Sequence, residues 1–219
     1  MSEPKPTVPR PRIQGLSDLI FGLALSIGAA QQLVNPPQNS MDILNALIVF
    51  GFSFFILINV WLRYTSLTSV VPIETTSMVR LNVLLLFLVA IEPYLFNVLA
   101  KAGLSGSLGH DASAYYGLDI AGMNFVLAYF LHLTTMKGKK LIPDDLVDRF
   151  KRIRSYNVLV GLVFAFSAIP NFADVFIGGT SLRIVLWIAT LPLIWISRAL
   201  GRIERAKKNL GASAFTNLA

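Results

Sequence analysis

Apolar positions in this chain gather into long runs separated by short polar stretches, and those runs set the expected architecture. A helix that crosses a bilayer needs about 20 mainly apolar residues. Six stretches reach that length: Ile13–Val34, Ile43–Leu62, Leu81–Ala100, Ala114–Leu133, Tyr156–Phe176 and Leu182–Leu200. The pattern predicts an all-α integral membrane protein with six transmembrane helices. It reads as one domain over residues 1–219, with polar tails at 1–12 and 201–219. The connections are short, apart from Met136–Ser155. Pro93 falls inside the third run, and Pro170-Asn171 interrupts the fifth, which can end early there. Neighbouring helices can satisfy the backbone groups that such residues free. In the long connection, Pro143-Asp144-Asp145-Leu146-Val147-Asp148-Arg149-Phe150 places acids first and cations later. That order suits a short surface helix with a favourable dipole.

Composition agrees with the pattern. Apolar residues make up 54% of the chain and charged residues 14%, against roughly 25% charge in an ordinary globular protein. The mean hydropathy is +0.63. There is no Cys, which excludes disulfides, thiolate catalysis and Cys-based metal centres. The first run is too long for a signal-peptide core and has no clear small-residue cleavage site, so it is expected to stay in the protein.

The net charge of +7 changes the picture only once the cations are placed. All Lys and Arg except Lys101 and Arg183 lie in the N-terminal tail, the second and fourth connections, or the C-terminal region. The positive-inside rule then puts both termini in the cytoplasm, as an even number of spans requires. The basic balance is a topology signal and does not point to nucleic acid. Anionic lipid is a secondary partner for the fourth connection and the tail.

Candidate chemistry lies in the polar residues of the spans. A carboxylate inside a membrane is costly unless paired, and so marks a functional site by default. Asp18 stands near the start of the first span, beside Ser17 and six residues after Arg12. The alternating directions of the spans bring Trp61 and Asn82 to a similar depth. Arg12, Ser17, Asp18, Trp61 and Asn82 can therefore meet near one membrane face, with Arg forking onto the carboxylate and Trp and Asn donating. Such a cluster either staples three helices together or also sets the geometry of a pathway. Glu92 and Asp119 allow two readings as well. They can belong to a proton route, or Glu92 can be near the outer surface or paired locally while Asp119 caps a helix turn. His110 and His132 have no partner at ligand spacing, so no metal site is expected. No nucleophile triad, phosphate loop or dinucleotide motif occurs, and no enzyme activity is expected.

Arg12-Ile13-Gln14-Gly15-Leu16-Ser17-Asp18 resembles the Arg-x-x-x-Phe-Ser-Asp signature on the first helix of the transmembrane protein 175 family. These are the endosomal and lysosomal potassium channels and their prokaryotic relatives. Ser53-Phe54 followed by Trp61 is similar to that family's second helix, and Asn82 followed by Pro93 across a leucine-rich run is similar to its third. The resemblance covers roughly the first hundred residues. It implies a potassium-permeable cation channel without a carbonyl filter, and the sequence has no Thr-Val-Gly-Tyr-Gly loop. It also implies a homotetramer with the first helix around a central pore. A single repeat and no identified sorting signal point to the plasma membrane rather than an organelle. The family's pore-lining pattern falls on Leu23, Ser26 and Ala30. Helical periodicity independently puts these residues on one face with Ile27. Leu23 would form a hydrophobic constriction, since apolar rings gate by dewetting. Ser26 would hold potassium transiently, with no fixed metal and no cofactor.

The chain departs from the family at three places. Leu16 stands where the signature has an aromatic. Arg63 follows Trp61 where many relatives carry His, and could pair with Asp18. Ser26 replaces a Thr. The same face also allows a packing role, because Gly22, Ser26 and Ala30 are small residues spaced by four. Two other classes stay open: a secondary transporter, for which the Pro93 and Pro170 breaks are suitable, and a non-conducting membrane scaffold.

Overall fold

The computed structural model describes residues 12–31, 38–71, 75–103, 106–136 and 143–190. Among the described residues the chain is all-α apart from one small hairpin. Five long helices carry the fold: α1 (Arg12–Gln31), α2 (Ser40–Thr68), α3 (Thr76–Ala102), α4 (Gly106–Thr135) and α5 (Asp144–Ser167). A one-turn α6 (Asn171–Asp174) follows, then strands β1 (Phe176–Ile177) and β2 (Thr180–Ser181). Residues 182–190 are helical up to the end of the described residues. The expected tails, the cationic residues at 137–140 and the second half of the sixth span lie outside the described residues.

Local chemistry sets the helix ends. Asn39 caps α2 by accepting from the Asp42 backbone N–H at 2.9 Å, and Thr75 caps α3 by accepting from Met78 at 3.3 Å. These caps satisfy donors that the first turn leaves free. α3 ends at Gly103 with φ 68°, a left-handed conformation that a glycine adopts without strain. Pro93 does not break α3, which runs through it as one helix.

Among the described residues, α2, α3 and α4 are long and apolar enough to cross a membrane. α4 is the central element and packs against both α3 and α5. Tyr116, Met123, Leu85 and Val89 have no exposed surface at these contacts. Where α4 meets α5, a Cβ on Gly117 would lie 3.3 Å from the Phe164 carbonyl oxygen. The small residue thus lets the two helices approach closely. Trp187 from the 182–190 helix stacks on Phe164 at 5.7 Å and donates to Ser167 Oγ at 2.7 Å, so this helix is fixed to the end of α5.

Two boundaries differ from those expected. The segment 143–150 is not a separate surface helix but the first two turns of α5. Val147, Phe150 and Ile153 recur at helical spacing and pack on the core, so the stripe of the span extends into the charged segment. The helix of the expected fifth span ends at Ser167, short of Phe176, the early end that Pro170-Asn171 allows. Pro170 cannot continue the hydrogen-bond ladder. The chain turns through Gly178 and Gly179, with φ 57° and 81°, which is the geometry of a tight two-residue hairpin.

Candidate functional site

The start of α1 is anchored by polar side chains read at helical spacing. Gln14, Ser17 and Asp18 share one face of α1, and Trp61, Tyr64 and Thr68 share one face of α2. Gln14 Nε2 donates to the Thr68 carbonyl at 2.9 Å, and Trp61 Nε1 donates to Asp18 Oδ1 at 3.0 Å. Ser17 is fully buried. Its Oγ accepts from Tyr64 Oη at 2.7 Å and from Asn82 Nδ2 at 3.2 Å, which ties α1, α2 and α3 together at one hydroxyl. Four of the five expected cluster residues therefore meet. The fifth, Arg12, opens α1, and its side chain lies outside the described residues.

Beyond this anchor α1 divides into two stripes. Ser17, Phe21 and Ala24 face inward, and Phe21 packs on the Tyr64 ring at 5.8 Å between centroids. Leu16, Leu19, Leu23, Ser26, Ile27 and Ala30 face outward. Leu23 is 56% exposed and Ile27 41%. A Cβ on Gly22 would touch nothing within 4 Å. The small residues of this stripe thus do not serve packing among the described residues. Ser26 Oγ donates to the Gly22 carbonyl at 2.8 Å, so its hydrogen is turned to the backbone and its oxygen stays available as an acceptor.

Residues 12–93 match the model of the family described as endosomal/lysosomal potassium channel TMEM175. The matched segment begins at Arg12 and ends at Pro93, and so holds α1, α2 and most of α3. It supports the assignment of the chain to the TMEM175 family that its motifs suggested. A comparison with curated proteins gave no match. The segment matched to TMEM175 contains the whole described anchor and the whole exposed stripe of α1.

One departure from the TMEM175 pattern is resolved differently from expectation. Arg63 is directed to α4 and α5, where it donates to Asn124 Oδ1 at 2.9 Å and Asn157 Oδ1 at 2.6 Å. Its guanidinium also lies 4.6 Å from the Tyr156 ring centroid, within cation–π range. Asp18 takes its bond from Trp61 instead. The reason is angular. Two residues along an α-helix turn the side chain by more than half a circle, so Arg63 faces away from the side that Trp61 presents to α1.

Of the two later acids, only Asp119 departs from its expected placement. Glu92 is paired locally, as one of its expected readings had it: it is fully buried and accepts from Ser53 Oγ at 2.8 Å and Tyr116 Oη at 3.2 Å. Asp119 caps no helix turn, because it stands near the middle of α4. Sequence reading missed Tyr64, Tyr116 and Gln14 as polar partners. The signal available was spacing, since Tyr64 follows Trp61 by one turn and Tyr116 precedes Asp119 by one turn.

Anchor strength is measurable. Ser17→Ala removes the acceptor for two buried donors. Hydrogen bonds between membrane helices are worth roughly 0.6 to 1.7 kcal/mol each, so the variant is expected to lose about 1–3 kcal/mol. Thermal unfolding in detergent checks this, and an unchanged melting temperature would mean that the hydroxyl adds nothing net.

Proposed function

We propose that this chain is the subunit of a homotetrameric, potassium-permeable channel whose pore is lined by α1. The observation that carries the reading is the division of α1. Its polar and aromatic stripe is held by α2 and α3, while the Leu23, Ser26, Ile27 and Ala30 stripe is exposed, without a partner among the described residues. A helix anchored firmly on one side and bare on the other suits assembly around an axis. The resemblance to a potassium channel family supplies the ion.

In this reading each subunit spans the plasma membrane six times, with both termini cytoplasmic and lipid against its outer faces. The whole chain forms one domain. Four copies of Leu23 make an apolar ring that keeps water out of the narrowest point. Ser26, one turn along, gives a ring of hydroxyl oxygens to a partly dehydrated potassium ion. No backbone-carbonyl filter takes part. The anchor at Ser17 and Asp18 holds α1 at the angle that sets the diameter of the ring.

The test is potassium flux into liposomes containing the purified protein, driven by a potassium gradient, with sodium and caesium for comparison. Flux that prefers potassium over sodium is expected. Absence of flux from a folded tetramer across voltage and pH would overturn the proposal in favour of a transporter or scaffold.

A further inference from the structure

Glu92 and Asp119 stand apart from the α1 stripe and its anchor. Each lies near the middle of its helix, on α3 and α4, and Ser53 reaches Glu92 from the middle of α2. Their environments are unequal. Glu92 accepts two hydroxyl donors, Ser53 and Tyr116. Asp119 is 5% exposed, and both of its carboxyl oxygens are buried without a hydrogen-bond partner among the described residues. Tyr116, which donates to Glu92, precedes Asp119 by one turn of α4, so both acids belong to the α3–α4 contact.

The charged and titratable groups of the surrounding helices are engaged or distant. On α2, Arg63 is bound by Asn124 and Asn157, and Asp42 is in the first turn. On α3, Arg80 and Lys101 lie near the two ends. On α4, His110, Asp111 and His132 lie toward the ends. Asp18 on α1 is bonded to Trp61. Arg183 binds Ser113 and the carbonyls of His110 and Ser167. The described charges of α5 outside its first turn, from Asp148 to Arg154, lie in its first half. Two buried carboxylates with no cation bonded to either are costly to keep ionised together, because each is desolvated.

We propose that Glu92 and Asp119 form a proton-binding site that holds one proton in the interior of each subunit. The donors assign the roles. Glu92, with two hydroxyl donors, carries the negative charge, and Asp119, with none, carries the proton. A proton suits this place better than an alkali ion. Ser53 and Tyr116 direct their hydroxyl hydrogens to Glu92, and a proton needs no coordination shell. The bound proton makes the α3–α4 contact compatible with a membrane interior. Its loss places like charges on facing helices and loosens them. The folded subunit then binds a proton that the unfolded chain releases, so stability falls as pH rises. This site is independent of whether α1 conducts potassium.

The test uses the purified full chain in detergent, without any flux measurement. The infrared spectrum at neutral pH should contain the carbonyl stretch of a buried, protonated carboxylic acid, and the melting temperature should fall from neutral to alkaline pH. Asp119→Asn puts a neutral group of the same shape in place, so the band should vanish and the fall should flatten. Absence of the band from the unsubstituted protein would overturn the proposal, as would its persistence in Asp119→Asn or parallel melting profiles. If Asp119→Asn does not fold, labelling aspartate carboxyls with carbon-13 in the unsubstituted chain decides the matter. The band should then move to lower frequency, and an unmoved band would overturn the assignment.

Discussion

Arg183→Met is expected to destabilise the subunit by about 3–5 kcal/mol, because buried acceptors that lose a partner cost roughly 1–3 kcal/mol each. Arg183 is 1% exposed. Its Nε donates to the Ser167 carbonyl at 2.6 Å, and Nη2 to Ile169 at 3.1 Å and Ala168 at 3.3 Å. These carbonyls belong to the end of α5 and the turn after it, where the last helical acceptors have no ladder partner. Nη1 reaches across to the His110 carbonyl at 3.0 Å and to Ser113 Oγ on α4. One guanidinium thus closes α5, fixes it to α4 and seats the start of the 182–190 helix. Methionine has a similar length and no donor. Arg183→Lys keeps the charge, but a single ammonium cannot span the carbonyls of Ser167 and His110 together. The expected order of melting temperature is therefore Arg, then Lys, then Met. An ordinary domain has about 5–15 kcal/mol of stability in all, so poor yield of the Met variant is part of the prediction. A Met variant that melts with the unsubstituted protein would show that the network adds no net stability.

How much of this was legible in the sequence depends on the range of each interaction. The long helices were readable, because an apolar run reports its own burial in lipid. The anchor was readable as a set of depths. Ser17, Asp18, Trp61 and Asn82 follow from alternating span directions and from the TMEM175-like motifs. Their pairings were not readable. Depth does not give the angle around a helix, and Arg63 was therefore aimed at Asp18 when its angle sends it to Asn124 and Asn157. Arg183 counted only as a charge outside the cationic side, since nothing local shows that a residue after a hairpin returns to cap the helix before it. The start of α5 was placed too late for a different reason. Its charged first turns mask an apolar stripe that continues through Val147, Phe150 and Ile153. Asp119 illustrates the same limit, because a buried acid and a solvated one look alike in sequence.

Leu23→Ala is expected to raise potassium flux several-fold and to weaken discrimination between potassium and sodium. In the proposed pore Leu23 projects from the bare stripe of α1 toward the axis, and it is 56% exposed in the subunit. An apolar ring resists ions by excluding water, and that resistance falls steeply as the ring widens. The substitution acts once in each of four subunits, so a small change in each side chain becomes a large change in diameter. Leu25 provides the contrast on the same helix. It is half-buried and packs on the core, so Leu25→Ala should lower the melting temperature by the usual cost of a cavity and leave ion preference unchanged. The measurement is potassium and sodium flux into liposomes for both variants at matched tetramer content. If Leu23→Ala conducts and selects like the unsubstituted channel, the constriction is not at Leu23. If Leu25→Ala alters selectivity instead, the pore face of α1 must be rotated by about half a turn from the one proposed.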